Sequence, residues 1–291
     1  VLVQNPNDAD TRVNVKFQTD EGEVAPADLQ GITIPAGSRV TFKANDWVPD
    51  EFDVSTKVEP IDGEVICERA MYGDNRTWAH DSIGATMPDP AQEWFLAEGS
   101  TGGGMETWLL VQNPGLLWAG VECRFMMPGG SVKTVRYRVP PRSRFTVPVH
   151  DLLPGKEVSV SLNSDQPVVA ERAMYWGDQA EGHATIGTPL PDAVWRFAEG
   201  YTAEGFEEWL LVSNPGSDPC ELQFTFLFPD GTVRTHLDQA PGNSRYTLDV
   251  GKLIGAREVS IVLKASSRVV AERAMYFNQR SGGTCTIGAL E

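Results

Sequence analysis

Three Glu-Arg dipeptides are the residues of this chain best placed to do chemistry, and each sits in the same phrase. Val65-Ile66-Cys67-Glu68-Arg69-Ala70-Met71-Tyr72 recurs as Val168-Val169-Ala170-Glu171-Arg172-Ala173-Met174-Tyr175 and again as Val269-Val270-Ala271-Glu272-Arg273-Ala274-Met275-Tyr276. A carboxylate beside a guanidinium can accept a proton or hold an ion pair. A second acid recurs in Ala97-Glu98-Gly99 and Ala198-Glu199-Gly200. Glycosidase chemistry needs two carboxyls facing each other across an open cleft, and nothing in the sequence sets a second recurrent acid in one. Alternation along a strand puts Glu171 with Val169, Ala173 and Tyr175 on one face, and Arg172 with Val168, Ala170 and Met174 on the other. One of the two charges therefore points into a core. Structural ion pairs, Glu98 with Arg172 and Glu199 with Arg273, are the expectation, since stranding one partner inside costs about 3 to 5 kcal/mol.

Metal chemistry finds little support. His80 and His183 share one position of the repeat, but the third copy has Thr284 there, so a metal site repeated per copy is excluded. His150 and His236 match neither position, and zinc-type spacing is absent. Asn7-Asp8-Ala9-Asp10 lacks the remaining oxygens of a calcium loop and reads as a solvated turn. No Gly-x-Ser-x-Gly elbow, phosphate loop or dinucleotide fingerprint occurs. The sequence thus points to no catalytic, cofactor or metal residues. The 4 cysteines, Cys67, Cys123, Cys220 and Cys285, fall at different repeat positions. Cys220 and Cys285 share a copy and could pair, but isolated buried thiols are the plainer reading.

Aromatic residues offer an interaction surface instead. Leu116-Leu117-Trp118 occupies a turn where the other copies have Asp8-Ala9-Asp10 and Ser217-Asp218-Pro219. An apolar triplet in a polar turn suggests contact with a neighbouring domain, another chain or a sugar ring. Trp78, Trp176 and Phe277, in or beside the loop after the recurring strand, are further candidates. Trp108 and Trp209 coincide in register and read as core.

The elements that position these residues come from one unit used three times. From the second copy to the third the register is unbroken at 101 residues, as Trp94 and Trp195, Asn113 and Asn214, and Arg144 and Arg245 show. The first copy carries small insertions, expected in loops, where added length costs little closure entropy. By register Val1 matches Leu109 and Leu210, so the first copy lacks the segment that opens the others at Trp94 and Trp195. We expect domains at 1–90, 91–192 and 193–291, each with its own core. Alternation and β-formers recur without a convincing helical period. Pro229-Asp230-Gly231 and its counterparts mark hairpins. About eight short strands per copy predict an all-β chain of three tandem two-sheet antiparallel sandwiches, immunoglobulin-like or jelly-roll-like. Brief helical turns are expected at Asp46-Trp47-Val48-Pro49, Asp151-Leu152-Leu153-Pro154 and Lys252-Leu253-Ile254-Gly255, with Trp47 a core plug. The joints Met87-Pro88-Asp89-Pro90-Ala91-Gln92 and Thr188-Pro189-Leu190-Pro191-Asp192-Ala193 are proline-rich, hence stiff. Domains like beads on a semi-rigid string follow.

The net charge of -16 argues against a nucleic-acid partner, which requires clustered Lys and Arg. No apolar run is long enough to cross a bilayer, and the opening residues are repeat sequence, which reads as a cut from a larger parent.

Trp-x-x-Ala-Glu-Gly at Trp94 to Gly99 and Trp195 to Gly200, Val139-Pro140-Pro141-Arg142-Ser143-Arg144, Asp151-Leu152 and Ser164-Asp165-Gln166-Pro167-Val168-Val169 together resemble the sensory rhodopsin transducer family, over nearly a whole copy. The repeat also looks like tandem repeats of large bacterial surface or secreted proteins. The resemblance implies a sandwich, self-association and binding without catalysis. Three tandem copies depart from that family, so its photoreceptor partner is not carried over. The expected function is a non-catalytic spacer or adhesion-type module of a bacterial extracellular or cell-envelope protein, with a protein or glycan partner. A carbohydrate-binding array is the runner-up and a hydrolase a remote third.

Overall fold

The computed structural model describes residues 1–85 and 91–290; most of the first proline joint, Met87 to Pro90, lies outside them. The first repeat runs through β1 (Leu2–Gln4), β2 (Thr11–Gln18), β3 (Glu23–Val24), β4 (Ile32–Ile34), β5 (Arg39–Thr41), β6 (Ser55–Pro60), β7 (Ile66–Gly73) and β8 (Trp78–Ile83). The second contains β9 (Ala91–Leu96), β10 (Glu106–Asn113), β11 (Ala119–Met126), β12 (Val132–Val139), β13 (Ser143–Pro148), α1 (Val149–Leu152), β14 (Ser159–Trp176) and β15 (Glu181–Ile186). The third repeats it: β16 (Asp192–Phe197), β17 (Glu207–Asn214), β18 (Cys220–Leu227), β19 (Val233–Ala240), β20 (Ser244–Asp249), α2 (Val250–Ile254), β21 (Ser260–Phe277) and β22 (Gly282–Ile287). The chain is all-β, and the helical turns lie two residues or so before the expected ones and overlap them in part, as Ala44–Asp46, Val149–Leu152 and Val250–Ile254, with further single turns at Ala27–Leu29, Asp74–Arg76 and Pro128–Gly130.

In the second repeat one strand serves two sheets. The first half of β14 lies between β11 and β9, and its second half lies between β10 and β15. The sheets are thus β12-β11-β14-β9 and β13-β10-β14-β15, all antiparallel, joined by a strand that bends from one to the other. Such corners need a bulge, and the pairing of β14 with β9 slips between Asn163 and Val168. Pro167 sits in that slip, where its missing N–H costs no ladder bond. The sequence reads two strands here; the structure makes one of 18 residues, because the bulge bends the backbone without ending its extended course. The first repeat does end it: β6 and β7 are separate, divided by a turn in which Gly63 has φ +69°.

Each fold-defining word has a mechanical reason. The Trp94 indole N–H donates to Val168 O at 2.7 Å and that of Trp195 to Val269 O at 3.0 Å, which pins the opening strand to the corner of the long one. Asn113 Nδ2 donates to the carbonyls of Leu117, Val139 and Pro140, and its Oδ1 accepts from Gly115 N. Asn5 and Asn214 bond in the same way. The recurrent Asn therefore ties two turns together without exposing a polar group to the core.

Cores follow the alternation. Leu109, Val111, Cys123, Phe125, Val160, Leu162 and Ala170 fill the second repeat. The third repeat's core also takes in Phe95, Ala97, Met105, Met174 and Trp176 of the second. That corrects the picture of beads on a string: the outer face of one sheet is apolar enough to need cover, and the preceding repeat supplies it.

Candidate functional site

Arg172 follows Val168 and Ala170 inward, toward the open end of its own sandwich, while Glu272 lies on the outward face of the next repeat's sheet. They meet there. Arg172 Nη1 sits 2.5 Å from Glu272 Oε2, with side chains 1% and 0% exposed. Glu272 also accepts from Ala97 N at 2.7 Å and from the Cys285 thiol at 3.2 Å. The Glu98 carboxylate takes Arg245 Nη2 at 3.2 Å. Arg245 further donates to the carbonyls of Gly99 and Val158, and Arg172 donates to that of Glu98. Two arginines and two glutamates thus form a buried lattice across the joint of repeats two and three, with half-exposed Glu157 at its edge 3.8 Å from Arg245 Nε.

The expected pairing of Glu98 with Arg172 is therefore corrected. Glu98 offers Arg172 only its carbonyl and gives its carboxylate to Arg245 of the next repeat. Glu199 and Arg273 do pair, at 3.4 Å, with Glu199 75% exposed. The recurrence of Arg144 and Arg245 was visible in the sequence, but nothing local revealed that they reach across a joint.

Burial alone would raise the Glu272 carboxyl; Arg172 and the bonds from Ala97 and Cys285 overcome that and hold it below the usual range. Burial wins at Glu98, whose carboxyl is raised despite Arg245 and Arg172. Removing one charge of the four would strand another at about 3 to 5 kcal/mol.

The joint of repeats one and two repeats the rule in a wetter setting. Arg69 Nη2 lies 2.5 Å from Glu171 Oε1, and Arg144 pairs with Asp53 at 3.1 Å. His80 Nε2 is 3.1 Å from the Tyr175 hydroxyl, and His183 Nε2 is 3.3 Å from that of Tyr276. Burial drives His80 down to about 4 and His183 well below its ordinary value, so both are neutral partners of a tyrosine in the following repeat. Among the described residues no group of three or more His, Cys, Asp or Glu side chains could hold a metal ion.

Where Ala97-Glu98-Gly99 wedges into the second joint, the first has a groove of about 160 Å³ lined by Val54, Lys57, Cys67, Arg69, Arg144 and Glu171. Arg144 and Glu171 correspond to Arg245 and Glu272, which grip that wedge. A different carboxyl has the value of an acid-base group: burial raises Glu208 to about 7. It is 1% exposed, neither oxygen has a hydrogen-bond partner of ordinary geometry, and a Cβ on Gly200 would come within 2.5 Å of it. No substrate reaches it in this arrangement.

Leu116, Leu117 and Trp118 are 69%, 63% and 52% exposed. Asn113 holds the turn by Leu117 O, and the Arg138 guanidinium lies 5.1 Å from the centre of the Trp118 ring. The other aromatic candidates are not free surface. Trp176 is buried, edge-on to Tyr276 at 5.4 Å, and its N–H donates to Arg280 O. Trp78 is half-buried on His80 and Tyr175, and Phe277 half-buried on Phe206. They read as exposed because the sequence does not disclose which loop a neighbour covers. All four cysteines are free thiols; Cys285 faces Glu272 and not Cys220.

Residues 1–189 match the profile of a family described as of unknown function, DUF5719. No curated protein matches the chain. Among solved structures, Thermotoga maritima 1070 is similar at 24% identity, covering 35% of this chain and 96% of that one, with a TM-score of 0.33. The Anabaena sensory rhodopsin transducer is similar at 14% identity over 29% of this chain and 96% of that one, with a TM-score of 0.27. A tetra-tandem repeat from the extending region of a large adhesion protein is similar at 11% identity over 98% and 68%, with a TM-score of 0.16.

Proposed function

The chain belongs to this family of unknown function, and we propose that it serves there as a non-catalytic, stiff repeat module that fixes a spacing and presents an interaction surface. The observation that carries the reading is the buried lattice of Arg172, Glu272, Glu98 and Arg245. Bending the joint would separate desolvated opposite charges and uncover Trp176, Met174 and Phe95, so the two repeats move as one body. Chemistry has little foothold in such a module: arginines occupy the carboxylates at the joints, and Glu208 is sealed. Its acidity and tandem build fit a bacterial extracellular or cell-envelope protein. Small-angle scattering tests stiffness: one particle shape should fit the profile of the intact chain, and a Glu272→Arg variant should need an ensemble. An intact chain that itself required an ensemble of bent forms would end this reading.

The exposed triplet favours a second reading, in which Trp118 stacks on a sugar ring with Leu116 and Leu117 beside it. A glycan array probed with the intact chain and with Trp118→Ala separates the two. Binding lost in the variant supports carbohydrate recognition, and an array with no signal removes it.

A further inference from the structure

Each repeat leaves one sheet edge open along its flank, and the three edges are guarded unequally. In repeat one the edge is broken into the short strands β3 and β4, with the helical turn Ala27–Leu29 between them. In repeat two it is β12, whose exposed side chains include Lys133, Arg136 and Arg138. Broken edges and edges of like charge resist pairing with another chain. In repeat three β19 has neither guard. It runs unbroken from Val233 to Ala240 and, among the described residues, pairs with β18 alone.

The substitutions between β12 and β19 are specific. At the 101-residue shift, Arg136 becomes Leu237, Tyr137 becomes Asp238 and Arg138 becomes Gln239. Leu237 and Val233 are 70% and 58% exposed. A stacked repeat does not cover this flank: Arg136, at the place of Leu237, keeps its side chain 81% exposed although repeat three stacks on repeat two. The backbone is open as well. Phe228 N donates to Thr232 O at the hairpin turn, and antiparallel ladder bonds fall on every second pair. Arg234, His236 and Asp238 therefore bond to β18, while the N–H and C=O groups of Val233, Thr235 and Leu237 aim at the free edge. Arg234 donates to Leu253 O, and Asp238 accepts from the Tyr246 hydroxyl and from Gln239 N, so both charges are held at the rim of the strand.

We infer that a second copy of this chain pairs with β19 antiparallel, edge to edge about a two-fold axis, with His236 opposite its own copy and Arg234 opposite Asp238 of the second copy. Charge selects this register. The axis sets both Arg234–Asp238 couples face to face, whereas centring on Thr235 or Leu237 gives Arg234 a histidine or Ala240 instead. On the outer face Thr235 meets Leu237 of the second copy, and diagonal neighbours also touch across such a pair. Val233, Leu237 and their copies thus gather into one apolar strip beside Leu227, itself 39% exposed. The contact uses the same strand on both sides, so it is isologous and closes at two chains. Self-pairing of β12 has no such match, since Lys133, Arg136 and Arg138 are all positive. The inference goes beyond the proposed function and does not depend on locked joints, because β19 belongs to repeat three alone.

Sedimentation velocity of the intact chain across a concentration series tests it. The average mass should rise to two chains and level there. Arg234→Asp and Asp238→Arg should each stay at the mass of one chain, because like charges then face each other. An equimolar mixture of the two should restore the dimer, since both couples regain opposite charge, and that recovery also shows the variants are folded. Leu237→Arg, which copies the guard of β12, should stay monomeric. Register is read by cross-linking in a chain with Cys67→Ser: His236→Cys should give an interchain disulfide with diamide, because opposed residues of a non-hydrogen-bonded pair lie about 4.5 Å apart at Cα, within disulfide reach. Thr235→Cys should not. A parent chain that stays monomeric, growth past two chains, charge variants that associate as the parent does, a mixture that stays monomeric, or equal cross-linking at both cysteines would each overturn the inference.

Discussion

Glu272→Gln tests the buried lattice with the least change in shape. The amide can still accept from Ala97 N, but Arg172 loses the carboxylate 2.5 Å away at a site where neither side chain exceeds 1% exposure. The cluster then holds two guanidinium charges against one carboxylate, and the cost of a buried unpaired charge is about 3 to 5 kcal/mol. Repeats two and three share a core, so they should melt together in the parent. A cooperative unit of roughly 150 to 250 residues moves by about 2 to 4 °C per kcal/mol, which makes the expected drop in Tm about 6 to 20 °C by scanning calorimetry, with the joint transition broadening or splitting. The compensating change is Arg172→Met on top of Glu272→Gln. It removes the stranded guanidinium and should recover most of the loss, because apolar replacement of a buried pair is close to neutral. A drop of less than about 2 °C in the single variant would refute the reasoning, as would a double variant worse than the single one, each difference of that size being under about 1 kcal/mol.

Asn113→Ala leaves the carbonyls of Leu117, Val139 and Pro140 without their donor; at about 1 to 3 kcal/mol per unsatisfied buried group it should be clearly destabilising in urea, and a neutral outcome would show that water replaces the side chain. The folded pKa of His80, about 4, lies below the ordinary value of 6.5, so its contribution is present above pH 6.5 and lost as pH falls toward 4. His183 shifts the same way, and His183→Phe should flatten that decline of Tm with acid. Glu208 is raised to about 7 from 4.5, so its penalty is full above pH 7 and gone below pH 4.5. Glu208→Gln should therefore stabilise the chain at pH 8 and not at pH 4, and equal Tm values at pH 8 would count against burial as the cause.

Much of this was legible in the residues. Recurring words located the repeats, and alternation along Val168 to Tyr175 put Glu171 and Arg172 on opposite faces with one of them inward; the structure shows that the inward one is Arg172. The partner of each charge was not legible, because period two names a face and not what covers it. Only the stacked fold shows that the inward Arg172 meets the outward Glu272 of the following repeat. Ser164 to Pro167 is polar and includes proline, yet a bulge carries the chain through it as one strand. Trp176 and Trp118 look alike in sequence, both large and near loops; a neighbouring repeat buries the first, whereas the turn pinned by Asn113 holds the second in solvent.

Stiffness across the joint of repeats two and three is measured most directly by the distance between spin labels at Leu116→Cys and Ser217→Cys, two exposed turn positions, with Cys67 changed to serine. A single narrow distance distribution that broadens on Glu272→Arg is the expected result. A broad distribution in the otherwise intact chain would contradict a joint locked by buried charge.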